Sequence, residues 1–501
     1  NFPSYSRRAS TSLFTPLAAA SRLHSIPAMG AIVENFMDWL PTGGNAVAIA
    51  ASLSAAVDYE GEDRISALPD DLLRNIVSRL PVKDAARTAA IASQWRHLWR
   101  STPLVLSDVG LLPSVVARVL ADHPGPFQAI HIARCRFASH ERELAEWPRL
   151  LAAKGIQDLV LVNDVIGTQF ITDTVLLPAD IFRCASLQRL FLGFFRFPDT
   201  AGLSRGPDIL PHLRELSMFT TVINNWDLDY MLACCPVLEK LAFVLSNSPD
   251  LIHLRSKSLQ CVLLWFFTAE EVAVVDAPLL KRLFLVDLAG SPQQPRDDST
   301  TMIKIACAPS LRALGFLETR THRLHIGDNA IKPGILPTPS TMLPGVKKLA
   351  VKVNFGVSKE AKMLVAFLRC FPNVDTLHIE SLTEPTGRKH AKFWRELSTV
   401  ECIESHVKKM VIHEYRGDQS ELRFLKFISR RAEVLQTLYV LLNRESLTSV
   451  AKVRKMTRRL VALSRLAWSD DCQIMVLGPE LQNDWSFQKA SDLTVDDPFH
   501  W

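Results

Sequence analysis

Residues that could carry catalysis occur in this chain, but their spacing matches no catalytic motif. The sequence contains no GxGxxG, no phosphate-binding loop ending in GK[ST], no GxSxG and no HExxH. His322 and His325 lie three residues apart and could bind a metal ion, yet no closely spaced cysteine or acidic ligand completes the set. THRLHI also alternates as a strand does. We therefore predict a non-enzymatic protein with no metal and no other cofactor.

The nine cysteines are scattered along the chain and form no CxxC pair. An odd and scattered set is typical of reduced core thiols, not of a disulfide framework. The Cys234-Cys235-Pro236 segment fits repeat packing better than redox chemistry. We expect a reducing compartment, the nucleus and/or the cytoplasm.

The stretch from residue 444 to 465 is strongly basic, with seven Lys or Arg residues and a single acid, Glu445. Its apolar residues can form one face of a helix, with Leu447, Val450, Val453, Leu460 and Leu463. The pattern predicts a solvated helix within residues 443–470 that caps a repeat array. An acidic partner or a nuclear import signal is the alternative.

Composition indicates an ordinary globular chain, with 48% hydrophobic and 22% charged residues. A net charge of +5 on 501 residues is mild and does not indicate nucleic-acid binding. No apolar run is long enough to span a bilayer, so no membrane partner is expected. Residues 1–28 are basic and free of acids, as in an organelle transit peptide. We instead expect residues 1–62 to be a poorly ordered lead-in, with Met29 as the start.

The elements that could position a binding surface begin with a helical unit at residues 63–103. Pro69 suits a first helical turn, and the acids that follow it favour the positive end of a helix dipole. Apolar residues recur every four positions before the helix-breaking Pro81 and form one stripe, with Leu68, Leu72, Ile76 and Leu80. A second, alanine-rich run ends in Trp95, Leu98 and Trp99. Such a stripe is either internal packing or a docking surface.

The segment LPDDLLRNIVSRLPVKDAARTAAIASQWRHLW resembles the plant F-box. It departs from that pattern at Gln94, where Lys or Arg is common, and at the small Ala89, Ala90 and Ala92. In this family the F-box binds an SKP-type adaptor, which joins it to a cullin scaffold. The resemblance implies an adaptor interface, although some of its members must instead hold the helices together: Leu68, Pro69, Leu72, Leu73, Ile76, Leu80, Pro81, Val82, Ala85, Arg87, Trp95 and Leu98.

An apolar-x-x-apolar-x-apolar pattern then occurs twelve times at spacings of 21 to 35 residues. Its first residues are Phe127, Ile156, Leu187, Leu213, Leu238, Leu259, Leu280, Leu311, Val346, Val374, Val407 and Leu435. Proline precedes six of the twelve by two residues, which suits the start of a strand. The tighter spacings match the leucine-rich-repeat period, so a curved solenoid of stacked strands is predicted.

Within each pattern the last two apolar positions should point into the core, and the residue between them should face the concave surface. That predicted face is unusually apolar, which makes it a candidate target-binding surface: Phe191, Leu263, Phe284, Val411 and Tyr439. The alternative is that the long insertions Gly290–Thr301 and Lys332–Leu343 fold over the face and bury it.

The segments LPHLREL, CCPVLEKL and CAPSLRAL resemble the irregular repeats of plant F-box proteins, and residues 393–442 resemble the FBD module that often closes them. The FBD pattern predicts a strand at 407–412, a helix at 421–432 and a strand at 435–441. The expected fold is therefore α/β, with a three-helix F-box at 63–103, a repeat solenoid at 120–392, FBD-like repeats at 393–442 and a tail at 471–501.

The resemblance implies a substrate-recognition subunit of an SCF-type ubiquitin ligase, with an unknown protein target held by the repeats. One alternative is an F-box protein that binds the adaptor but acts outside degradation, or a decaying family member. Another is a repeat scaffold for protein or RNA that works without a ligase.

Overall fold

The structure of the chain is a computed structural model. It describes residues 65–80, 82–91, 93–165, 174–246, 248–286, 300–382, 391–444, 450–467, 472–478 and 487–499. The predicted lead-in at 1–62 and most of the insertion at 290–301 lie outside the described residues.

Three short helices form the N-terminal unit, followed by a strand that begins the solenoid. They are α1 (Asp70–Ser78), α2 (Val82–Thr88) and α3 (Ser93–Ser101), and the strand is β1 (Leu104–Ser107). The acids of α1 form ion pairs with Arg74 one turn later, which supports the helix from within. The predicted helical unit is confirmed.

One parallel sheet of fourteen strands runs through the rest of the described chain. Every one of the twelve sequence patterns lies on a strand of this sheet, so the predicted repeat array is confirmed. In spatial order the strands are β1, β2 (Phe127–Ile132), β3 (Asp158–Val162), β5 (Arg189–Gly193), β7 (Glu215–Phe219), β8 (Lys240–Val244), β10 (Cys261–Trp265), β12 (Arg282–Val286), β14 (Ala313–Glu318), β17 (Lys348–Val353), β18 (Thr376–Ser381), β19 (Lys409–Tyr415), β20 (Thr437–Leu442) and β21 (Gln473–Leu477).

The back of this sheet is covered by elements that connect consecutive strands. Helices do so in the outer repeats: α4 (Pro113–Asp122), α5 (Glu141–Ala153), α6 (Asn225–Cys234), α7 (Ser358–Cys370), α8 (Ala391–Glu396), α9 (Glu401–Ser405), α10 (Gln419–Arg431) and α11 (Val450–Ala467). In the central repeats a second sheet replaces them, with β9 (Leu251–Arg255), β11 (Glu271–Asp276), β13 (Thr301–Ile305), β15 (His322–Ile326) and β16 (Asn329–Ala330). A small pair, β4 (Val175–Leu176) and β6 (Phe195–Arg196), and the helix α12 (Phe487–Ser491) complete the described elements.

The sheet is apolar on both faces. The main core lies between the sheet and its back layer, where leucines such as Leu190 and Leu283 are fully buried. A second apolar cluster lies on the front face and includes Leu263 and Phe284. Because parallel strands covered on both sides are nearly continuous hydrophobic runs, this arrangement explains why the patterns carry apolar residues at the position between the core leucines.

Buried acids join three of the back helices, α6, α7 and α10, to the rest of the repeat array. Asp227, Glu360 and Glu421 are each the third residue of a helix and are buried. Glu360 accepts hydrogen bonds from the Asn354 amide at 2.9 Å and the Thr319 hydroxyl at 3.0 Å. Carboxylates at this position satisfy amides that a helix start leaves unpaired, so they fix the path of the chain between sheet and helix.

Several strands end on a non-glycine residue in the left-handed conformation. Phe194, Thr220, Leu245 and Phe266 each directly follow a strand and have φ between 43° and 58°. The amide of Phe194 bonds to the carbonyl of Phe219, and that of Thr220 bonds to the carbonyl of Val244. Each exit from the sheet is thus tied to the neighbouring repeat.

The structure corrects two sequence expectations. The basic helix α11 does not cap the array, because β21 follows it and pairs with β20. Residues 332–343 do not cover the front face either. The amide of Leu343 donates to the carbonyl of Cys370 at the end of α7, and the turn at Pro339–Thr341 packs beside β15, both in the back layer.

Gly315 on β14 is required by the approach of the next strand. A Cβ added there would lie 2.5 Å from the Cβ of Ala350 on β17. We expect Gly315→Ala to lower the free energy of unfolding by about 1–3 kcal/mol, because overpacking displaces a strand pair. Gly202→Ala is the matched control, since no atom lies within 4 Å of its added Cβ. Equal denaturation midpoints for the two variants would contradict this account of the β14–β17 contact.

Candidate functional site

The N-terminal helices expose part of the predicted stripe. Leu72 is 53% exposed, Ile76 39% and Leu68 36%, and Pro69 beside them is also exposed. Arg87 on α2 is exposed and pairs with Asp84 at 2.9 Å. Large apolar side chains one turn apart in contact with water form a surface that a protein partner can cover. These exposed positions stay predictions for the adaptor interface.

The other predicted adaptor residues that the structure describes are either buried or half-buried. Leu80 and Val82 are half-buried, and Pro81 lies outside the described residues. Four are buried and belong to the core of the helical unit, namely Leu73, Ala85, Trp95 and Leu98. Their assignment to the interface is corrected, because a side chain without solvent contact cannot be covered by a partner. Leu72 and Leu73 are adjacent on α1 and project about 100° apart, so one is exposed and the other buried, and helical periodicity alone could not tell which.

Two exposed apolar residues of the helical unit were missed. Ile65 is 58% exposed and Ile91 62% exposed. Gln94, a departure from the F-box pattern, donates to the carbonyl of Ser66 at 2.7 Å, and the Trp95 indole donates to the Ser66 hydroxyl at 3.0 Å. These bonds hold the segment before α1 against α3. The four-residue spacing does not reach Ile65, because one step before Leu68 falls on Arg64; a three-residue helical step from Leu68 would have found it.

The helical unit and the solenoid share one core. Leu73, Trp95 and Leu98 belong to the same buried cluster as Leu104 and Leu106 of β1. The Thr102 hydroxyl donates to the carbonyl of Leu98 at 2.6 Å and links α3 to the start of the strand. The exposed stripe is therefore held in a fixed orientation relative to the first repeats.

The predicted target-binding residues occupy one row across the front of the sheet. Strand register aligns Phe191 with Ser217, Ala242, Leu263 and Phe284 in the first half, and Ala350 with His378, Val411 and Tyr439 in the second. The residue predicted to face the front in each of these strands therefore does so, and the core leucines face the back. However, Leu263, Phe284 and Val411 are buried, whereas Phe191 and Tyr439 are half-buried. The expectation of an open face at Leu263, Phe284 and Val411 is thus corrected.

Residues 487–499, here called the crossing segment, cover part of this row. The Arg282 guanidinium on β12 donates to the carbonyls of Ala490, Asp492 and Val495. Burial lowers the pKa of Arg282, and nearby acids of the crossing segment partly offset that effect. One guanidinium therefore organises the backbone of the segment at the middle of the sheet.

Two consecutive acids of the crossing segment bind basic side chains of the sheet. Asp496 pairs with Lys348 of β17 at 2.8 Å. Asp497 pairs with Lys409 of β19 at 2.7 Å and accepts from Nε2 of His378 at 3.2 Å. Burial alone raises the pKa of Asp497, but His378 and Lys409 outweigh burial and hold that pKa well below its usual range. Asp497 is therefore a carboxylate over the whole physiological pH range.

An aromatic pocket receives the end of the segment. The Phe499 ring lies edge-on to Phe284 and Phe316, with ring centroids 5.4 Å apart in both cases. His378 forms the third side at 5.5 Å, and Phe499 is 1% exposed. The ammonium of Lys352 lies 5.6 Å from the centre of the Phe316 ring. The cover of the front face is thus a specific side-chain fit, not a loose contact.

A second histidine lies beneath this site. Nδ1 of His378 is 3.1 Å from Nε2 of His413 on β19. Burial lowers the pKa of His413 well below its usual value, and the neighbouring His378 lowers it further. If neutral His378 donates to Asp497 through Nε2, its Nδ1 accepts from His413, so the two bonds are compatible with two neutral rings.

Sequence reasoning did not associate the crossing segment with the sheet. Asp496, Asp497 and Phe499 have no local period. The partners of the two acids lie 88 to 148 residues away in sequence, and Phe284 and Phe316, which contact Phe499, lie further away still. One signal was available, because Arg282, Lys348 and Lys409 occupy the first position of their strands. A row of basic side chains beside a row of apolar side chains indicates that the surface binds a segment with acidic and apolar residues.

Within the described ranges, no three His, Cys, Asp or Glu side chains are grouped so as to hold a metal ion. His322 is buried on β15, and its Nδ1 accepts from the amide of Glu318 at 2.9 Å. No described helix has both the length and the apolar composition to cross a membrane. The site that the geometry supports is a protein-binding one.

Three family models match the chain in sequence order. Residues 65–106 match the F-box domain, and residues 395–440 match the FBD. Residues 144–379 match the leucine-rich repeats of the FBD-associated F-box protein At5g56370 family. These matches coincide with the three helices, the central strands and the α10 region described above.

Curated relatives come from Arabidopsis thaliana. F-box/LRR-repeat protein At3g26922 is 29% identical over 236 residues, which is 44% of this chain and 74% of the relative. F-box/FBD/LRR-repeat protein At1g13570 is 24% identical, covering 76% of this chain and 91% of the relative. F-box/FBD/LRR-repeat protein At1g51370 is also 24% identical, covering 83% and 96%. The similarity thus extends over most of the chain.

The lowered pKa of His413 predicts a pH-dependent stability. The folded chain keeps this ring neutral in contact with His378 and near Asp497 and Lys352, whereas the unfolded chain protonates it near pH 6.5. The unfolded state therefore binds more protons below that pH, and the free energy of unfolding should fall between pH 7.5 and 5.5. Burial also lowers the pKa of His123 and His131, which adds to the fall.

Chemical denaturation of wild type and His413→Gln at the two pH values measures the contribution of this ring. We expect the variant to lose less stability on acidification than the wild type. His212→Gln, which changes an exposed histidine before β7, is the control. An unaltered pH dependence in His413→Gln would show that the buried ring is not a source of the effect.

Proposed function

Because the chain is an F-box/leucine-rich-repeat protein with an FBD module, we propose that it is the substrate-recognition subunit of an SCF-type ubiquitin ligase. Its F-box would dock onto an SKP-type adaptor and through it onto a cullin. Its repeats would bind a protein target for ubiquitination. The family carries a substrate-adaptor role in general, and the specific complex and target are the proposal.

The exposed stripe of α1 is the observation that carries this proposal. Leu72 and Ile76 keep roughly half of their side-chain surface in water, although they lie one turn apart beside a well-packed core. A unit of this size gains stability by burying such groups, so leaving them outside costs about 1–2 kcal/mol each unless a partner covers them. An adaptor that binds the F-box supplies that cover.

The proposed role needs no bond chemistry in this chain. The receptor would hold its target near a ubiquitin-conjugating enzyme, and the rate gain would come from effective concentration. The common core of F-box and solenoid supports this role, because it fixes the target-binding face relative to the adaptor. We therefore propose a non-catalytic subunit with neither metal nor cofactor.

A repeat scaffold that works without a ligase is the second candidate. The solenoid alone would serve that function, and it would need no exposed stripe on α1. Recovery of an SKP-type adaptor with the full chain separates the two. An F-box protein that acts outside degradation would recover the adaptor, but its targets would not accumulate when the proteasome is inhibited.

We also propose that the protein acts in the nucleus and/or the cytoplasm. The nine cysteines carry free thiols, seven of them buried, which suits a reducing compartment. Burial raises the pKa of Cys184 and Cys370 to about 12, so these thiols stay protonated and unreactive. A fluorescent fusion found in the secretory pathway would contradict this location.

Replacing Leu72 and Ile76 together by Asp should abolish adaptor binding. The double change places charge in an apolar contact, and we expect at least about 100-fold weaker binding, since two interface anchors are lost. Isothermal titration of the purified full chain with an SKP-type adaptor measures the effect. Circular dichroism should remain unchanged, because both side chains project into water.

Leu279→Asp provides a matched control, because Leu279 is 48% exposed but lies in the solenoid. It should retain wild-type adaptor affinity. Leu73→Ala provides the opposite control, since truncating this fully buried residue should cost about 2–4 kcal/mol of stability. Normal adaptor binding by a folded Leu72→Asp/Ile76→Asp variant would exclude this stripe as the docking surface.

A further inference from the structure

The crossing segment is bound to the sheet in the way that a peptide ligand is bound. Among the described residues, none of its backbone amides pairs with a strand; outside helix α12 its backbone–backbone bond is internal, from the Val495 amide to the Asp492 carbonyl. Its fit depends on Arg282, which holds its carbonyls, and on its own side chains, which enter separate sites on the sheet. Contacts of this kind can be copied by another chain of the same chemistry.

Three positions of the segment contact the sheet through their side chains. Asp496 binds Lys348, and Asp497 binds Lys409 and His378. Phe499 fills the aromatic pocket two residues later. The pattern is two consecutive carboxylates, one residue of spacing and a large aromatic ring.

Charge on the sheet is matched to that pattern. Along the row of first strand positions, Arg189 and Lys240 are paired with acids of the sheet, Asp158 and Glu215. Arg282 and Lys409 instead use groups of the crossing segment, and Lys348 is shared between Asp375 beside β18 and Asp496 of the segment. The segment carries three acids and one base, Lys489. Electrostatic complementarity therefore singles out β12 to β19 as the place for an acidic ligand.

We propose that this groove, formed by Arg282, Phe284, Phe316, Lys348, His378 and Lys409, is the target-binding site of the receptor. It takes an acidic peptide of a target protein with the sequence acid-acid-x-aromatic. The crossing segment is its internal occupant and competes with the target. This inference rests on the proposed receptor function and specifies the chemistry of the partner.

An internal competitor raises the concentration that a target needs. The segment is tethered to the same chain, so it faces the groove at an effective concentration in the millimolar range. A target peptide in solution binds only to the fraction of molecules whose groove is open. Weakening the internal segment should therefore strengthen binding of the external peptide.

The probe is a fluorescent peptide of residues 490–499, ASDLTVDDPF, followed by anisotropy with the full-length chain. We expect Asp496→Asn/Asp497→Asn/Phe499→Ser, which weakens the internal occupant, to bind this probe at least about tenfold more tightly than the wild type. Adding Lys409→Glu should reverse that gain. Adding Lys257→Glu, in the turn after β9 in the back layer, should leave it intact.

A probe with both consecutive acids changed to Asn should not bind. If the triple variant is folded and fails to bind the probe, or binds a scrambled probe equally well, the segment is only a structural cover and the proposal is overturned. Denaturation midpoints establish which variants are folded.

A charge exchange keeps the test decisive if the triple variant does not fold. A Lys409→Asp chain repels its own Asp497 and should bind a probe that carries Asp497→Lys, but not the native probe. Failure of this exchange in a folded protein would also overturn the proposal.

Adaptor binding through Leu72 and Ile76 is measured in parallel on every variant. Loss of adaptor binding contradicts the receptor function, whereas loss of probe binding with adaptor binding intact contradicts only this site.

Discussion

The fold depends on covering both faces of a parallel sheet. Fourteen strands lie side by side, and most of them present apolar side chains both to the back layer and to the front. The back face of the sheet is covered within each repeat, because the segment that connects two consecutive strands forms a helix or a second strand there. The front face is not covered in this way, since the residues between the core leucines project away from the connecting segment of their own repeat. Cover there has to come from elsewhere in the chain, and residues 487–499 supply part of it through a guanidinium, two ion pairs and one aromatic pocket.

The same logic applies at the other end of the molecule, with a different outcome. The F-box is too small to hold all of its large apolar groups inside. Leu73, Trp95 and Leu98 join the solenoid core, and this leaves Leu68, Leu72 and Ile76 outside. Apolar side chains on the front of the sheet are thus partly covered by the chain itself, whereas those of α1 stay exposed to solvent. The continuous core between them makes the two surfaces parts of one packed unit.

Local patterns were sufficient to predict the architecture but not the contacts between distant segments. All twelve strand motifs were identified because strand alternation and proline offsets repeat every few tens of residues, and Asp418 and Glu421 form a capping box at the predicted α10. The orientation of α1 was not accessible, since Leu72 and Leu73 are chemically identical and only packing distinguishes them. Strand exits at Phe194, Thr220 and Leu245 carry no glycine that would signal a left-handed turn. The partners of Asp496, Asp497 and Phe499 are set by solenoid curvature, which no local period encodes.

The position of residues 487–499 also sets an order of events during synthesis. These residues leave the ribosome after every strand that they cross, so the repeats stack while the aromatic pocket of Phe284 and Phe316 is still without Phe499. Until then the front of β12 to β19 is an exposed apolar and cationic surface, the kind that chaperones retain and that promotes aggregation. A ribosome that terminates early would release a chain with a nearly complete solenoid and an uncovered front. Closure of this face therefore distinguishes a finished chain, in which Phe499 fills the pocket, from a truncated one, in which the pocket stays open.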